Sequence, residues 1–198
     1  TLAAALKRVR ADEAVRGVLI TGAGERVFSG GVDVRATSAL PPEVFRQQRS
    51  SAFFAVLMQL VDFPKPVVAA VNGVASGGGF MIAALADVIV ASENASFALP
   101  EIDLGSPPLA GLAVLSPVIG QALAYDLVQT GRKLSAREAE QHGLVRALVA
   151  QAEVVAQAEQ HLRRWMGKNP RAIARSKAWV REPIRAELER AERAMVEY

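Results

Sequence analysis

Apolar residues recur along the chain with two different periods. Helical spacing predicts a short helix over residues 2–9 and a longer one over residues 41–60, which opens on two prolines. Continuous β-branched and apolar runs predict buried strands at 15–21, 67–71 and 88–91. Each run is followed by a glycine or polar residue typical of a turn.

The second half of the chain is mostly helical in pattern. A short extended piece is predicted at 96–99 and a strand at 144–149. Residues 151–198 predict three amphipathic helices, punctuated at Pro170 and Pro183. The order indicates an α/β domain, with a core over residues 1–150 and a helical C-terminal region over 151–198 of the same domain.

Composition excludes several classes of site. Without cysteine, the chain of 198 residues has no disulfide, thiolate metal site or cysteine nucleophile. Two widely separated histidines do not suggest a metal site, so none is expected. The small net charge of +3 and the interleaved signs near the C-terminus indicate solvated helix faces, not a nucleic-acid surface. We expect a cytoplasmic enzyme, because neither a membrane span nor a signal peptide is visible.

Two glycine clusters stand out. Gly22 and Gly24 follow a predicted strand, but the third glycine and the helix of a dinucleotide fingerprint are missing. The triple 77–79 is followed by Phe80 and Met81, which excludes a phosphate-binding loop of the Lys-Thr type. Taken singly, either cluster is most simply a tight turn.

Taken together, the two clusters at 22–24 and 77–79 support a sharper interpretation. Each group follows a strand, and the second opens a helix, where backbone N–H groups have no partner within the helix. Two such donors that converge on one point form an oxyanion hole, which stabilises a thioester oxygen as it gains charge.

Four segments carry a resemblance to the crotonase (enoyl-CoA hydratase/isomerase) family, which extends over about residues 9–180. They are FSGGVDV at 28–34, PKPVVAAVNGVASGGGF at 64–80, ADVIVASENASFALPEIDLG at 86–105 and TGRKLSAREAEQHGLV at 130–145. The resemblance implies a superhelix of repeated ββα turns, followed by helices that form trimer contacts. The family's first strands and last helix have no counterpart here, so by this resemblance the chain looks trimmed at both ends.

The resemblance also implies roles for individual residues. The backbone N–H groups of Val32 and Gly78 would be the oxyanion donors, and Glu101 would be the acid/base. Residues expected to contact the substrate are Gly31, Asp33, Arg35, Gly77, Met81 and Pro100, with Arg35 near the phosphates of coenzyme A. The ligand would be an acyl-CoA thioester, with coenzyme A as part of the substrate and no separate cofactor. The assembly implied is a homotrimer or a dimer of trimers.

One departure from the family changes the expected reaction. Where the family's hydratases have a first glutamate, this chain has Met81, which cannot transfer a proton. A single carboxylate can take a proton from one carbon and return it to another, so we expect Δ3,Δ2-enoyl-CoA isomerisation. The apolar segment 109–117 also suggests a pocket that disfavours water. Hydration, other thioester chemistry of the family, and a non-catalytic CoA-binding protein remain as alternatives.

Charged residues near these motifs have simpler explanations as well. An isolated glutamate is usually solvated, but apolar neighbours would partly desolvate Glu101 and suit it to general-base chemistry. Asp103 would project to the same side if the backbone were extended there, although a solvent-facing acid is the simpler expectation. Asp87 is expected to be a structural cap. Lys65, between two prolines, could face the ligand.

Overall fold

The computed structural model describes residues 1–33 and 42–197, and the side chains of that range except those of 42–51 and 196–197. Its helices are α1 (Leu2–Ala11), α2 (Pro42–Val61), α3 (Gly78–Ala84), α4 (Leu109–Ile119), α5 (Gln121–Thr130), α6 (Ala136–Gln141), α7 (Val154–Met166) and α8 (Pro170–Glu197). Its strands are β1 (Val18–Thr21), β2 (Val27–Ser29), β3 (Val67–Val71), β4 (Val74–Ser76), β5 (Val88–Ser92), β6 (Ser96–Ala98), β7 (Leu134–Ser135) and β8 (Ala147–Val149). Single turns of 3₁₀ helix occur at Pro100–Leu104 and Gln151–Glu153.

Strands β1 to β6 alternate between two sheets. The first has the order β1-β3-β5-β8 and is parallel throughout. The second has the order β2-β4-β6-β7, with only β7 antiparallel to its neighbour. Each pair β1–β2, β3–β4 and β5–β6 therefore adds one strand to each sheet. This arrangement confirms the predicted α/β fold of repeated ββα turns.

Strand β3 shows why the sequence of its sheet is a continuous apolar run. All five of its residues are buried. Val67, Ala69 and Val71 belong to the main core, whereas Val68 and Ala70 pack on the opposite face in a smaller cluster that includes residues of α7. Side chains alternate between the faces of a strand, so a strand covered on both faces needs apolar residues at every position.

The helical C-terminal region differs from the prediction. It contains two long helices, α7 and α8, and Pro183 lies inside α8 without ending it. The proline removes the N–H that would bond the carbonyl of Trp179, but that turn is exposed to water, with Trp179 at 84% of its full exposure. Ile184 and Leu188 are buried on the inner face and hold the helix in place.

Asp87 and Lys65 both have structural roles. Asp87 accepts hydrogen bonds from the Val67 N–H and from the side chains of Lys177 and Arg181, so it joins α8 to the starts of β3 and β5. This agrees with the predicted structural cap. Lys65 Nζ donates to the carbonyl oxygens of Val9 and of Asp12 just beyond α1, both at 2.6 Å. The expectation that Lys65 faces the ligand is therefore wrong.

None of the helices within the described ranges is both long and apolar enough to cross a membrane.

Candidate active site

The two glycine segments meet where parallel strands β2 and β4 end side by side. Val27 pairs with Val74 and Ser29 with Ala75, so both strands end at the same edge of the sheet. Gly31 has φ +82°, and a Cβ built on it would lie 2.8 Å from the Ser76 carbonyl oxygen and 3.0 Å from the Gly78 nitrogen. Only glycine allows this backbone-to-backbone contact.

Backbone donors are available at this junction. Gly78 is the first residue of α3, where an N–H has no partner within the helix. The N–H of Gly31 points to Ser29 Oγ at 3.3 Å, so that donor is already engaged. The N–H groups of Val32 and Gly78 form no hydrogen bond within the described part of the chain. The two N–H groups predicted from the sequence as oxyanion donors therefore have no hydrogen-bond acceptor among the described residues.

Glu101 lies against the same glycines. The Gly77 N–H donates to the Ala98 carbonyl at 2.9 Å, which ties the end of β6 to the start of α3. Pro100 then opens a 3₁₀ turn, and its fixed φ suits this first position. A Cβ on Gly77 would lie 2.9 Å from Glu101 Oε1, and Glu101 Oε2 is buried. The carboxylate is thus packed beside the glycine triple, partly shielded from solvent.

Asp103 does not share this position. Extended backbone after Pro100 would bring the two acidic side chains to one side of the chain. In a 3₁₀ helix each residue turns by about 120°, so the side chains of positions two apart diverge. Asp103 is exposed, and its Oδ2 lies 2.9 Å from a Cβ built on Gly131, at the end of α5. Asp103 therefore does not project beside Glu101, and the simpler expectation of a solvent-facing acid is confirmed.

Met81 is buried at 3% exposure and belongs to the main core. Its N–H donates to the Gly77 carbonyl at 3.2 Å, and residues four apart lie on one side of a helix. Glu101 packs against Gly77, so Met81 lies one helical turn after that contact, on the same side of α3. Its direct approach to Glu101 remains a prediction, as do the substrate contacts of Gly31, Asp33, Gly77 and Pro100. Arg35 lies outside the described residues.

Phe53, on α2, is a site residue that the sequence did not reveal. A Cβ on Gly78 would lie 2.7 Å from Phe53 Cε2 and 3.1 Å from Cζ, so the ring covers the first residue of α3. Phe53 is half-buried and packs edge-on against Phe54, with ring centroids 6.4 Å apart. A glycine at 78 signals that something approaches closely, but not which residue does so.

The described residues contain no cluster of three or more histidine and acidic side chains able to hold a metal ion. What they bring together is two open amide donors, one partly shielded carboxylate and an aromatic ring. Such a set can polarise a carbonyl oxygen and move a proton on the adjacent carbon.

Comparison with known proteins identifies the family. The sequence profile described as enoyl-CoA hydratase/isomerase matches residues 1–197. The chain belongs to the enoyl-CoA hydratase/isomerase family. A carnitinyl-CoA dehydratase of Salmonella enteritidis PT4 is 43% identical over 166 residues, which cover 83% of this chain and 63% of that protein. The one from Salmonella typhi is 42% identical over the same length. The chain thus spans less than two thirds of the length of these relatives.

Solved structures of the enoyl-CoA hydratase/isomerase family share the fold. The enoyl-CoA hydratase from Bacillus anthracis has a TM-score of 0.86 at 30% identity, covering 99% of this chain and 77% of that one. An enoyl-CoA hydratase/isomerase from Mycobacterium paratuberculosis has a TM-score of 0.83 at 30% identity, covering 100% of this chain and 77% of its own. The chain therefore shares both the family and the fold of these proteins.

Proposed function

We propose that the protein acts on acyl-CoA thioesters, with Glu101 moving a proton at the carbon next to the thioester. In this proposal the N–H groups of Val32 and Gly78 bind the thioester oxygen. The observation that carries it is the meeting of three separate segments. A Cβ built on Gly31 would lie 3.0 Å from the Gly78 nitrogen, and one built on Gly77 would lie 2.9 Å from Glu101 Oε1.

The preferred reaction is migration of a double bond from the 3- to the 2-position of an enoyl thioester. The Glu101 carboxylate removes a proton from Cα, and the electron pair moves into the thioester, giving a dienolate. Two amide donors stabilise the negative charge on its oxygen. The protonated Glu101 then returns the proton to Cγ, so the reaction needs no water and no further reagent.

Met81 is the reason for preferring isomerisation to hydration. Addition of water across the double bond benefits from a second group that holds and activates the water, and a thioether cannot do this. The residue before Pro100 is also apolar and fully buried: Leu99 packs on α4, where a Cβ built on Gly111 would lie 2.6 Å from Leu99 Cδ1. Both features favour proton transfer in a dry pocket.

The carnitinyl-CoA dehydratases at 42–43% identity favour a second candidate, elimination of water from a 3-hydroxyacyl thioester. That reaction begins with the same abstraction at Cα. The enolate then expels the β-hydroxyl, which takes the proton from Glu101 and leaves as water. A non-catalytic CoA-binding protein would carry out neither reaction.

Glu101→Gln tests the proton shuttle, since it keeps the size of the side chain and removes the base. We expect turnover of a 3-enoyl-CoA to fall by roughly 10²-fold or more, while binding of a saturated acyl-CoA stays within a few-fold. Asp103→Asn is the matched control, because Asp103 is exposed and faces α5. Parallel loss of binding and turnover in Glu101→Gln would instead assign Glu101 a structural role.

Comparing three substrates with the unaltered protein separates the candidate reactions. We expect isomerisation of 3-enoyl-CoA to exceed both hydration of 2-enoyl-CoA and dehydration of 3-hydroxyacyl-CoA. Faster dehydration would favour the second candidate. Binding of acyl-CoA without any turnover would favour the non-catalytic alternative.

We also propose that the protein assembles as a homotrimer or a dimer of trimers. Trp179 and Val180 on α8 are exposed at 84% and 68%, and adjacent exposed apolar residues often mark a contact between subunits. Sedimentation equilibrium would test this, and a monomer at micromolar concentration would contradict it.

A further inference from the structure

A cavity of about 420 Å³ lies behind the candidate active site, between the end of α3 and helix α8. None of the residues assigned to the acyl-CoA site lines it. Most of its wall is apolar, including Val88, Pro117, Val118 and Ile184. Its remaining wall contains the ion cluster of Asp87, Lys177 and Arg181. The cavity therefore combines an apolar surface with a group of charges.

The charges in this cluster do not balance. Lys177 and Arg181 are only 8% and 7% exposed, and they share the single carboxylate of Asp87. Burial lowers the pKa of Lys177, and the positive charge of Arg181 adds to this effect, while Asp87 opposes it. Two buried cations that share one carboxylate are incompletely neutralised, which is costly, so an anion placed here would be stabilised.

Arg181 still has hydrogen-bond donors to offer. Its Nη2 donates to the Ala86 carbonyl at 3.0 Å and to Asp87 Oδ1 at 3.3 Å. Within the described part of the chain, its Nε and Nη1 make no hydrogen bond, and neither is sealed from solvent. Because Arg181 lines the cavity and is more than nine-tenths buried, we infer that these donors open onto the cavity.

We propose that this cavity is a binding site for a small organic carboxylate, which pairs with Arg181. A carboxylate accepts charge-assisted hydrogen bonds from a guanidinium, and with Nη2 already engaged the N–H groups of Nη1 or of Nε can each donate one such bond to it. The apolar wall beside the cluster suits a hydrocarbon chain, which an inorganic anion lacks. The volume lies in the range of small-molecule sites.

Calorimetric titration with octanoate tests the site. We expect one octanoate to bind per chain. 1-Octanol, which lacks the carboxylate, and acetate, which lacks the hydrocarbon chain, should each bind at least about tenfold more weakly. Arg181→Met should weaken octanoate binding by about tenfold or more, as expected for losing a charge-assisted pair. Arg175→Met, at an exposed position of the same helix, should leave it unchanged.

A second variant covers the case in which Arg181→Met does not fold. Ser176 is exposed and lines the cavity without joining the ion cluster, so Ser176→Trp should obstruct the cavity and abolish binding. Octanoate affinity unchanged in either folded variant would overturn the proposal. Displacement of octanoate by a saturated acyl-CoA would also overturn it, because the ligand would then be in the acyl site. Either result leaves the acyl-CoA proposal untouched.

Discussion

Gly78 offers a direct test of the oxyanion hole, because one substitution there removes the backbone N–H group and another retains it. Gly78→Pro removes the donor, whereas Gly78→Ala keeps it. The sequence alone suggests that proline would distort the start of α3. In the structure Gly78 is the first helical residue, the position that tolerates proline best, since its N–H has no partner within the helix.

The two variants share the steric cost of the added Cβ. In both, a Cβ at position 78 would come within 2.7 Å of the end of the Phe53 ring, which must move aside. The ring is a half-buried side chain, so this adjustment lowers the rate and stability of both variants alike. The loss of one oxyanion donor costs about 2.7–4 kcal/mol of transition-state stabilisation, or about 10²–10³ in kcat. We therefore expect Gly78→Pro to turn over about 10²–10³ times more slowly than Gly78→Ala.

The assay is isomerisation of a 3-enoyl-CoA under single-turnover conditions at saturating enzyme, so that weaker binding does not contribute. Denaturant unfolding of both variants establishes that each is folded before rates are compared. Equal rates in two folded variants would show that the Gly78 N–H does not bind the thioester oxygen. Loss of folding in the proline variant alone would show that residue 78 does not behave as a first helical position.

Three further predictions follow from the same contacts. Met81→Glu should place a second carboxylate beside Glu101 and allow some hydration of 2-enoyl-CoA, at some cost in stability. The pH dependence of the hydration rate should show that the two carboxylates titrate as a coupled pair. Gly77→Ala should lower kcat by about 10- to 100-fold, because its Cβ would meet Glu101 Oε1 at 2.9 Å, and lower the free energy of unfolding by about 1–3 kcal/mol from its φ of +53°. The free energy of unfolding of the unaltered protein, minus that of Lys177→Met, should increase as the pH rises towards 10.5. Denaturant unfolding measures both free energies.

The Gly77 prediction has a matched control, and the sign of the Lys177 prediction follows from its pKa. Gly143→Ala also introduces a side chain at positive φ, +76°, but meets nothing within 4 Å, so it should lower stability without lowering kcat. For Lys177 the sign follows from its lowered pKa in the folded state. Between that pKa and 10.5 the unfolded chain binds more protons, so rising pH favours the folded state. A relative stability that falls over this range would contradict the burial argument.

The sequence by itself determined much of the α/β fold and pointed to the segments of the candidate site. The run at Val67–Val71 was apolar at every position because both faces of β3 are covered, a requirement that acts residue by residue. The glycines at 31 and 77 both have positive φ, and this local constraint is visible in the residue type. Recognition of the family then linked these segments to Glu101.

Tertiary structure alone decided how the side chains around these segments are arranged. Glu101 and Asp103 diverge because the backbone turns as a 3₁₀ helix there, and alternation along an extended chain gave the wrong geometry. Phe53 reaches Gly78 only because α2 packs on α3, and Pro183 continues α8 because water and buried neighbours offset its lost hydrogen bond. These outcomes depend on contacts between residues distant in sequence or on local solvent exposure, and a periodic pattern of apolar residues contains neither.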